Sequence, residues 1–214
     1  MKNPAFKRTF DILFSIALII LTSPLMALAC ILCLIDGHKN PLFTQVRLGQ
    51  HCYRFTIFKF RTMHDRAHRA GNVPQHVGFH SEGITAIGRF MRATSLDELP
   101  QLFNILKGDM AFIGPRPHAL SYAQHYASIA PDYYARYQVR PGLAGLVQVT
   151  PLRNLTEEAD HIRARVASDL HYVRSMSIGL DLAIFAAAAL IVVKALMPSM
   201  LSLIALGSGR LVSA

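Results

Sequence analysis

The sequence predicts a helix-dominated α+β protein held at a membrane. Three observations carry that prediction. Residues 12–35 contain no charged side chain, residues 41–63 alternate as a strand does, and residues 85–107, 119–138 and 155–175 carry helix-like patterns. Of the 214 residues, 52% are hydrophobic and only 16% are charged, and the mean hydropathy is +0.30. This composition excludes a disordered chain, which is polar and poor in apolar residues. It also falls below the roughly 25% charge of an ordinary soluble domain. The length suits one domain, or two small ones, with a real core. The net charge of +9 is unevenly placed. Residues 1–96 hold 12 basic and 4 acidic groups, against 8 and 8 in 97–177 and 2 and 1 in 178–214. The first 96 residues therefore face anionic partners.

The uncharged run ILFSIALIILTSPLMALACILCLI would make a straight helix of about 36 Å, enough to cross a bilayer core of about 30 Å. It is too long for a cleavable signal peptide, and no small-residue cleavage site follows it. Two readings stand: a single spanning helix, or a re-entrant helix–break–helix hairpin that enters and leaves by one face. Ser23-Pro24 at the midpoint favours a bend, because proline removes a backbone hydrogen bond and the serine hydroxyl can serve a freed carbonyl. Lys2, Lys7 and Arg8 before the run and Lys39 and Arg47 after it put basic residues on both flanks. Boundaries follow at 1–36 for the membrane segment, 37–177 for the domain outside it and 178–214 for an apolar C-terminal tail. Lys194 and Pro198 interrupt that tail and favour interfacial helices over a second span.

Between them, FTIFKFRTM places Phe58 and Phe60 on one strand face and Ile57, Lys59 and Arg61 on the other. Residues 64–83 read as a polar loop whose pairs His64/His68 and His76/His80 have helical metal-ligand spacing, opposed by Gly71, Pro74 and Gly78. Residues 85–107 read as a helix, a break and a second helix ended by Gly108. An extended GDMAFIGPRP, a tyrosine-rich helical stretch (119–138), a glycine turn into a short strand (139–149) and a charged helix (155–175) complete the chain. Three cysteines, an odd count, fit a reducing compartment, and Cys30-x-x-Cys33 within an apolar run reads as packing rather than a redox or zinc pair. Cys52 is solitary.

The adjacent acids Asp97 and Glu98 in SLDELPQL are the chemical centre. One reading is structural: Asp97 as an N-cap, or Ser95 and Glu98 as a capping box. The other is functional. Lys59, Arg61, Arg92 and Arg116 lie in separate motifs that are otherwise poor in charge, and such cations suit phosphates. Paired carboxylates suit Mg²⁺ bridging to phosphates, and an aspartate can attack phosphorus. Together they point to phosphoryl transfer, without the P-loop, dinucleotide or kinase signatures of other phosphate chemistry.

These residues resemble the bacterial sugar transferases, the monotopic polyprenyl-phosphate phosphoglycosyltransferases, in their minimal form without the additional N-terminal transmembrane region of larger members. The likeness runs from about Lys7 to Asp181 through KRTFDILFS, Ser23-Pro24, FTQVRLG, FKFRTM, SLDELPQLFNILKGDMAFIGPRP and VRPGLAGLVQV, in that order. The resemblance implies transfer of a sugar 1-phosphate from a UDP-sugar to polyprenyl (undecaprenyl) phosphate, with release of UMP, as the first membrane step of glycoconjugate or exopolysaccharide synthesis. It implies Asp97 as nucleophile and Glu98 as Mg²⁺ ligand or proton carrier, with Asp97 and Glu98 together as the metal site. Lys59, Arg61 and Arg92 would hold phosphates or the acid pair, and Pro115, Arg116 and Pro117 would face the nucleotide. Lys7 and Arg8 would meet anionic phospholipid, and Ser23-Pro24 would break the re-entrant helix. The implied location is the bacterial inner membrane with the catalytic domain in the cytoplasm, and a homodimer stays open. Ala144 and Ala111 depart from the threonine and serine common at those places in the family.

The rival reading is a non-catalytic membrane-anchored binder of nucleotide or anionic lipid, which would have no need of adjacent acids. Nucleic-acid binding has only the net charge in its favour, with scattered aromatics and no motif.

Overall fold

Residues Pro4–Ile35 form one helix, α1, where a helix, a break and a second helix were expected. The computed structural model describes residues 4–64, 83–154 and 156–208. Pro24 lies inside α1, and its missing N–H deprives the Ile20 carbonyl of its usual partner. The Ser23 hydroxyl donates to that carbonyl at 2.9 Å, and Thr22 donates to the Leu18 carbonyl at 2.7 Å. The Ser23 bond satisfies the freed carbonyl where lipid cannot, and α1 stays helical through the proline.

The alternating stretch folds as an antiparallel hairpin of β1 (Leu42–Leu48) and β2 (Arg54–Phe60), with Phe43 opposite Lys59 and Arg47 opposite Phe55. Helices α2 (Ala86–Ala93) and α3 (Gln101–Lys107) follow, and Gly108 closes α3 at φ 95° as its position predicts. Strand β3 (Ala111–Ile113) pairs in parallel with β4 (Gly142–Ala144), so close to the following loop that a Cβ on Gly142 would collide with the Gly114 nitrogen. Between these strands, α4 (Leu120–Ile129) gives way to a 3-10 stretch at Pro131–Gln138, because Ala130 before proline is driven to an extended conformation. Helices α5 (Ala159–Ser175) and α6 (Ile178–Ser208) end the chain. The expected interfacial helices of the tail are one continuous helix, which runs past Lys194 and Pro198. Lys194 is exposed and can extend its stem along the apolar surface, which removes its cost to the helix.

The central core packs Phe55 and Ile57 of β2, Leu102 and Ile105 of α3 and Phe112 of β3 against Phe14, Leu18 and Ile19 of α1. A ring contact between Phe14 and Phe112 (5.0 Å) and another between Phe14 and Phe185 (5.6 Å) join α1, β3 and α6. A second core gathers Tyr126, Tyr133 and Tyr137 with Ile162 and Val166 of α5. A third holds Ala29 and Cys33 near the end of α1 against Phe60 and Met91. Cys33 is buried there with its sulfur 3.9 Å from that of Met91, and all three cysteines are free, in keeping with ordinary packing.

Lys7 and Arg8, expected beside lipid headgroups, turn inward onto partners within the protein. The Lys7 ammonium pairs with Asp181 at 2.6 Å and donates to the Tyr172 hydroxyl and the Ile113 carbonyl, both at 2.9 Å. Arg8 donates to the Ile105 and Leu106 carbonyls at 2.6 and 2.7 Å. A cation at the open carbonyls of a helix C-terminus is favoured there, which explains the preference for α3 over solvent. Of the histidine pairs, His64 alone is described; His68, His76 and His80 lie outside the described residues, as does Lys2. Helix α1 and the Ile178–Met197 part of α6 are each long and apolar enough to cross a membrane. Leu21, Leu190 and Val193 are more than half exposed on them, as suits a membrane-associated protein.

Candidate active site

The acid pair sits on a 3-10 turn, Leu96–Glu98, between α2 and α3. Neither capping reading holds. Ser95 makes no side-chain cap bond, and Pro100, not Asp97, is the N-cap of α3. Ser95 instead adopts a left-handed conformation at φ 58°, which costs about 1–2 kcal/mol for a residue with a Cβ. That turn aims Asp97 and Glu98 away from the helix and toward the strand β2.

Two separate elements deliver cations to Glu98. Lys59 on β2 donates to Glu98 Oε1 at 2.6 Å, and Arg116, in the loop after β3, donates to the same oxygen at 2.8 Å. Burial alone would push Glu98 up, but the Arg116 and Lys59 charges and their hydrogen bonds more than offset it. Glu98 is therefore held well below the usual carboxylate range. Asp97 differs. It is 7% exposed, and no hydrogen bond to its carboxylate is found among the described residues. Burial, with the neighbouring Glu98 charge, outweighs the pull of Lys59, Arg92 and Arg116 and raises Asp97 to about 6. Two adjacent acids thus have opposite properties: Glu98 is permanently ionised and engaged, and Asp97 is ionised near neutral pH with its lone pairs available.

Other side chains hold this arrangement. Arg92, at the end of α2, is fixed by a 2.9 Å bond to the Thr62 hydroxyl, and burial lowers its basicity against the pull of Asp97. Asn104 of α3 acts as an extra strand edge for β2: its oxygen accepts from Phe58 N at 3.0 Å and its amide donates to the Thr56 carbonyl at 2.7 Å. This bond pair sets β2 against α3, and hence Lys59 against Glu98. Arg136 is fully buried, bonded to Asp169 through Nε at 2.9 Å, and donates to the Arg116 carbonyl at 2.9 Å. Arg47 of β1 donates to the Pro117 carbonyl at 3.0 Å, and burial beside Arg116 lowers it to about 10, so it remains a cation at neutral pH.

A cleft of about 1550 Å³ opens over this group. Asp97, Glu98, Lys59, Arg61, Arg92 and Arg116 all line it, as does Pro117. Pro115 does not. It is buried, and its carbonyl accepts from Gly142 N at 2.9 Å, so it anchors the loop that presents Arg116. Lys7 and Arg8 are not among the cleft residues. Arg47, Lys59, Arg92 and Arg116 act electrostatically on this acid pair, a surplus of positive charge suited to phosphates.

The bacterial sugar transferase family matches residues 2–195, almost the whole described chain. The chain belongs to that family. This sugar transferase is 42% identical over 178 residues to a UDP-glucose:undecaprenyl-phosphate glucose-1-phosphate transferase of Caulobacter vibrioides, covering 83% of this chain and 66% of the relative. It is 38% identical over 181 residues to the exopolysaccharide production protein PSS of Rhizobium leguminosarum bv. phaseoli, covering 83% and 90%. An Escherichia coli K12 UDP-glucose:undecaprenyl-phosphate glucose-1-phosphate transferase is 32% identical over 182 residues, covering 85% of this chain and 39% of that protein. The chain therefore spans less than two thirds of the first and third of these relatives.

Sequence reasoning missed Arg47, Asn104 and Arg136 as parts of the site. Arg47 lies in the FTQVRLG stretch, a weak signal, whereas Asn104 and Arg136 act through backbone N–H and carbonyl groups and leave no chemical mark in a sequence. One prediction follows from the burial of Asp97. Its folded pKa of about 6 lies above the unfolded value of about 3.9, so its charge costs stability above pH 6, and the cost vanishes below about pH 4 where both states are protonated. Asp97→Asn is expected to stabilise the sugar transferase by about 1–3 kcal/mol at about pH 8 and by next to nothing at about pH 3. Thermal unfolding in detergent micelles measures this, and a variant less stable than the parent at pH 8 would contradict it.

Proposed function

We propose that this sugar transferase moves a sugar 1-phosphate from a UDP-sugar to polyprenyl phosphate through an aspartyl-phosphosugar intermediate on Asp97, releasing UMP. The observation that carries this reading is the asymmetry of the acid pair: an available, buried Asp97 beside a Glu98 locked to Lys59 and Arg116. The names of the Caulobacter and Escherichia relatives, which specify UDP-glucose and undecaprenyl phosphate, support the substrate classes.

In the first step an Asp97 oxygen attacks the sugar-bearing phosphorus. A P–O bond forms, the bond to the bridging oxygen breaks, and UMP departs with that electron pair. In the second step an oxygen of the polyprenyl phosphate dianion attacks the same phosphorus. The acyl-phosphate bond breaks, Asp97 is restored as a carboxylate and a polyprenyl-diphosphate sugar leaves. Neither step needs a proton to be moved. This agrees with a Glu98 held ionised, and it favours the electrostatic role of Glu98 over proton transfer. Lys59, Arg92 and Arg116 spread the charge of the diphosphate and of the departing UMP. Asp97 and Glu98 also fit Mg²⁺, which takes one or two carboxylates and completes its shell with phosphates and water. Among the described residues there is no cluster of three or more His, Cys, Asp or Glu for an all-protein metal cage. Bound there, Mg²⁺ would neutralise diphosphate charge.

We also place the site at the cytoplasmic face of the bacterial inner membrane, where UDP-sugars are found, with α1 re-entrant. What supports this is that both ends of α1 grip one body. Arg8 bonds Ile105 of α3, and Cys33 meets the Arg61 carbonyl at 3.3 Å, while Asn104 ties α3 to β2 just before Arg61. A spanning helix would separate its ends by a bilayer core of about 30 Å. The product would begin a glycoconjugate or exopolysaccharide, in line with the Rhizobium relative's name.

The enzymatic reading is tested with the full chain, Mg²⁺, undecaprenyl phosphate and UDP-glucose, UDP-galactose or UDP-N-acetylgalactosamine. UMP release is expected, and Asp97→Asn is expected to lower it by on the order of 10³-fold or more. For the parent, kcat/KM for the UDP-sugar should rise with pH through about 6 and then level, since the donor diphosphate has no pKa there. UMP release that survives Asp97→Asn would exclude the nucleophile. For topology, single cysteines placed at Ala5 and Asp36 should both resist labelling from outside the cell, and labelling of one alone would make α1 a spanning helix.

A further inference from the structure

Helix α6 has two apolar faces. Leu190 and Met197 are 53% and 55% exposed, whereas Ile184 is fully buried and Ala188, Ile191, Val192 and Ala195 follow it along the inner face at helical spacing. That inner face packs on the core only near Ile184. Farther along, Ala188, Ile191 and Val192 line the wall of the large cleft. A smaller recess of about 370 Å³ adjoins it, with Ala93, Ser95 and Arg153 on one side and Ile191, Val192 and Ala195 on the other. Ser95 is two residues from Asp97. Arg153 is exposed, and no hydrogen bond or ion pair to its guanidinium is seen among the described residues.

We propose that this recess is the acceptor slot: Arg153 takes the phosphate of the polyprenyl phosphate, and the inner face of α6 walls its isoprenoid chain. The inference rests on the reading of the chain as a polyprenyl-phosphate transferase and assigns its second substrate a place. The occupant follows from the chemistry of the walls. A cation opposite a continuous apolar helix face complements an amphiphile with an anionic head, and a nucleotide sugar offers nothing to that helix face. The cleft of about 1550 Å³ also exceeds the roughly 300–1,000 Å³ of a pocket for one small molecule, leaving room for a second substrate beside the donor. Since the outer face of α6 is apolar as well, the acceptor can pass from bilayer to slot without crossing water. The slot then brings its phosphate to the side of the turn that presents Asp97, ready for the second displacement.

Four variants test this in nanodiscs containing undecaprenyl phosphate, with the UDP-sugar donor that gives UMP. Two measurements are made: the UMP burst without acceptor, which reads the first displacement, and KM for the acceptor in full turnover. Val192→Trp fills the slot, and Leu190→Trp puts comparable bulk on the outer face of the same helix, away from the cleft. Val192→Trp and Arg153→Ala are expected to raise the acceptor KM about tenfold or more while the burst persists. Arg153→Lys should recover part of the loss, because an ammonium still meets a phosphate. Leu190→Trp should leave both measurements unchanged. Equal effects of the two tryptophans, or an Arg153→Ala loss equal in burst and transfer, would overturn the slot. A parent chain that releases no UMP from any donor would remove both the slot and the reading it rests on.

Discussion

Glu98, clamped between Lys59 and Arg116, is the constraint on which the rest of the site depends. Two carboxylates side by side on a buried turn repel each other and lose hydration. The fold answers by bringing one cation from β2 and one from the loop after β3 to a single oxygen of Glu98. With that acid neutralised, Asp97 can be buried without a partner of its own and still ionise near neutral pH. A nucleophile needs that combination of charge, free lone pairs and restricted water. Its cost is stability, as is common where a site is held in an unfavourable state for function.

The surrounding structure serves this convergence. Asn104 fixes β2 to α3 by imitating a strand edge, and Arg136 reaches from a buried pair with Asp169 to the carbonyl of Arg116. Glycine at 142 lets β4 approach the loop that carries Arg116. The membrane helices are tied to the same framework rather than hung from it. Lys7 joins α1 to Asp181 at the start of α6, and to β3 through the Ile113 carbonyl. The two long apolar helices and the frame around the acid pair therefore share one set of contacts.

Much of this was legible in the sequence because the signals were local or chemical. The helix, turn and helix around SLDELPQLFNILKG, with Gly108 as terminator, followed from short-range rules. The Ser23 hydroxyl serving the carbonyl freed by Pro24 followed from the chemistry of proline. The grouping of Lys59, Arg61, Arg92 and Arg116 with the acids followed from charge in otherwise apolar motifs. What could not be read were interactions that depend on tertiary placement. Lys7 and Arg8 look like headgroup ligands beside an apolar run, but their partners lie about a hundred residues away or more, on α3, β3, α5 and α6. Ser95 looks like a cap, yet its left-handed turn removes it from that role. Lys194 and Pro198 suggest an interruption, yet α6 continues through both.

In the proposed reaction Asp97, and not Glu98, carries the sugar phosphate between donor and acceptor. Its most direct test is peptide mass mapping of the acid-quenched full chain after incubation with Mg²⁺ and the active UDP-sugar, without polyprenyl phosphate. A glycosyl-phosphate adduct is expected on the peptide containing Asp97 and Glu98, localised to Asp97 by fragmentation and discharged when polyprenyl phosphate is added before the quench. An adduct on Glu98 would contradict the assignment, as would acceptor-dependent turnover in which no adduct forms.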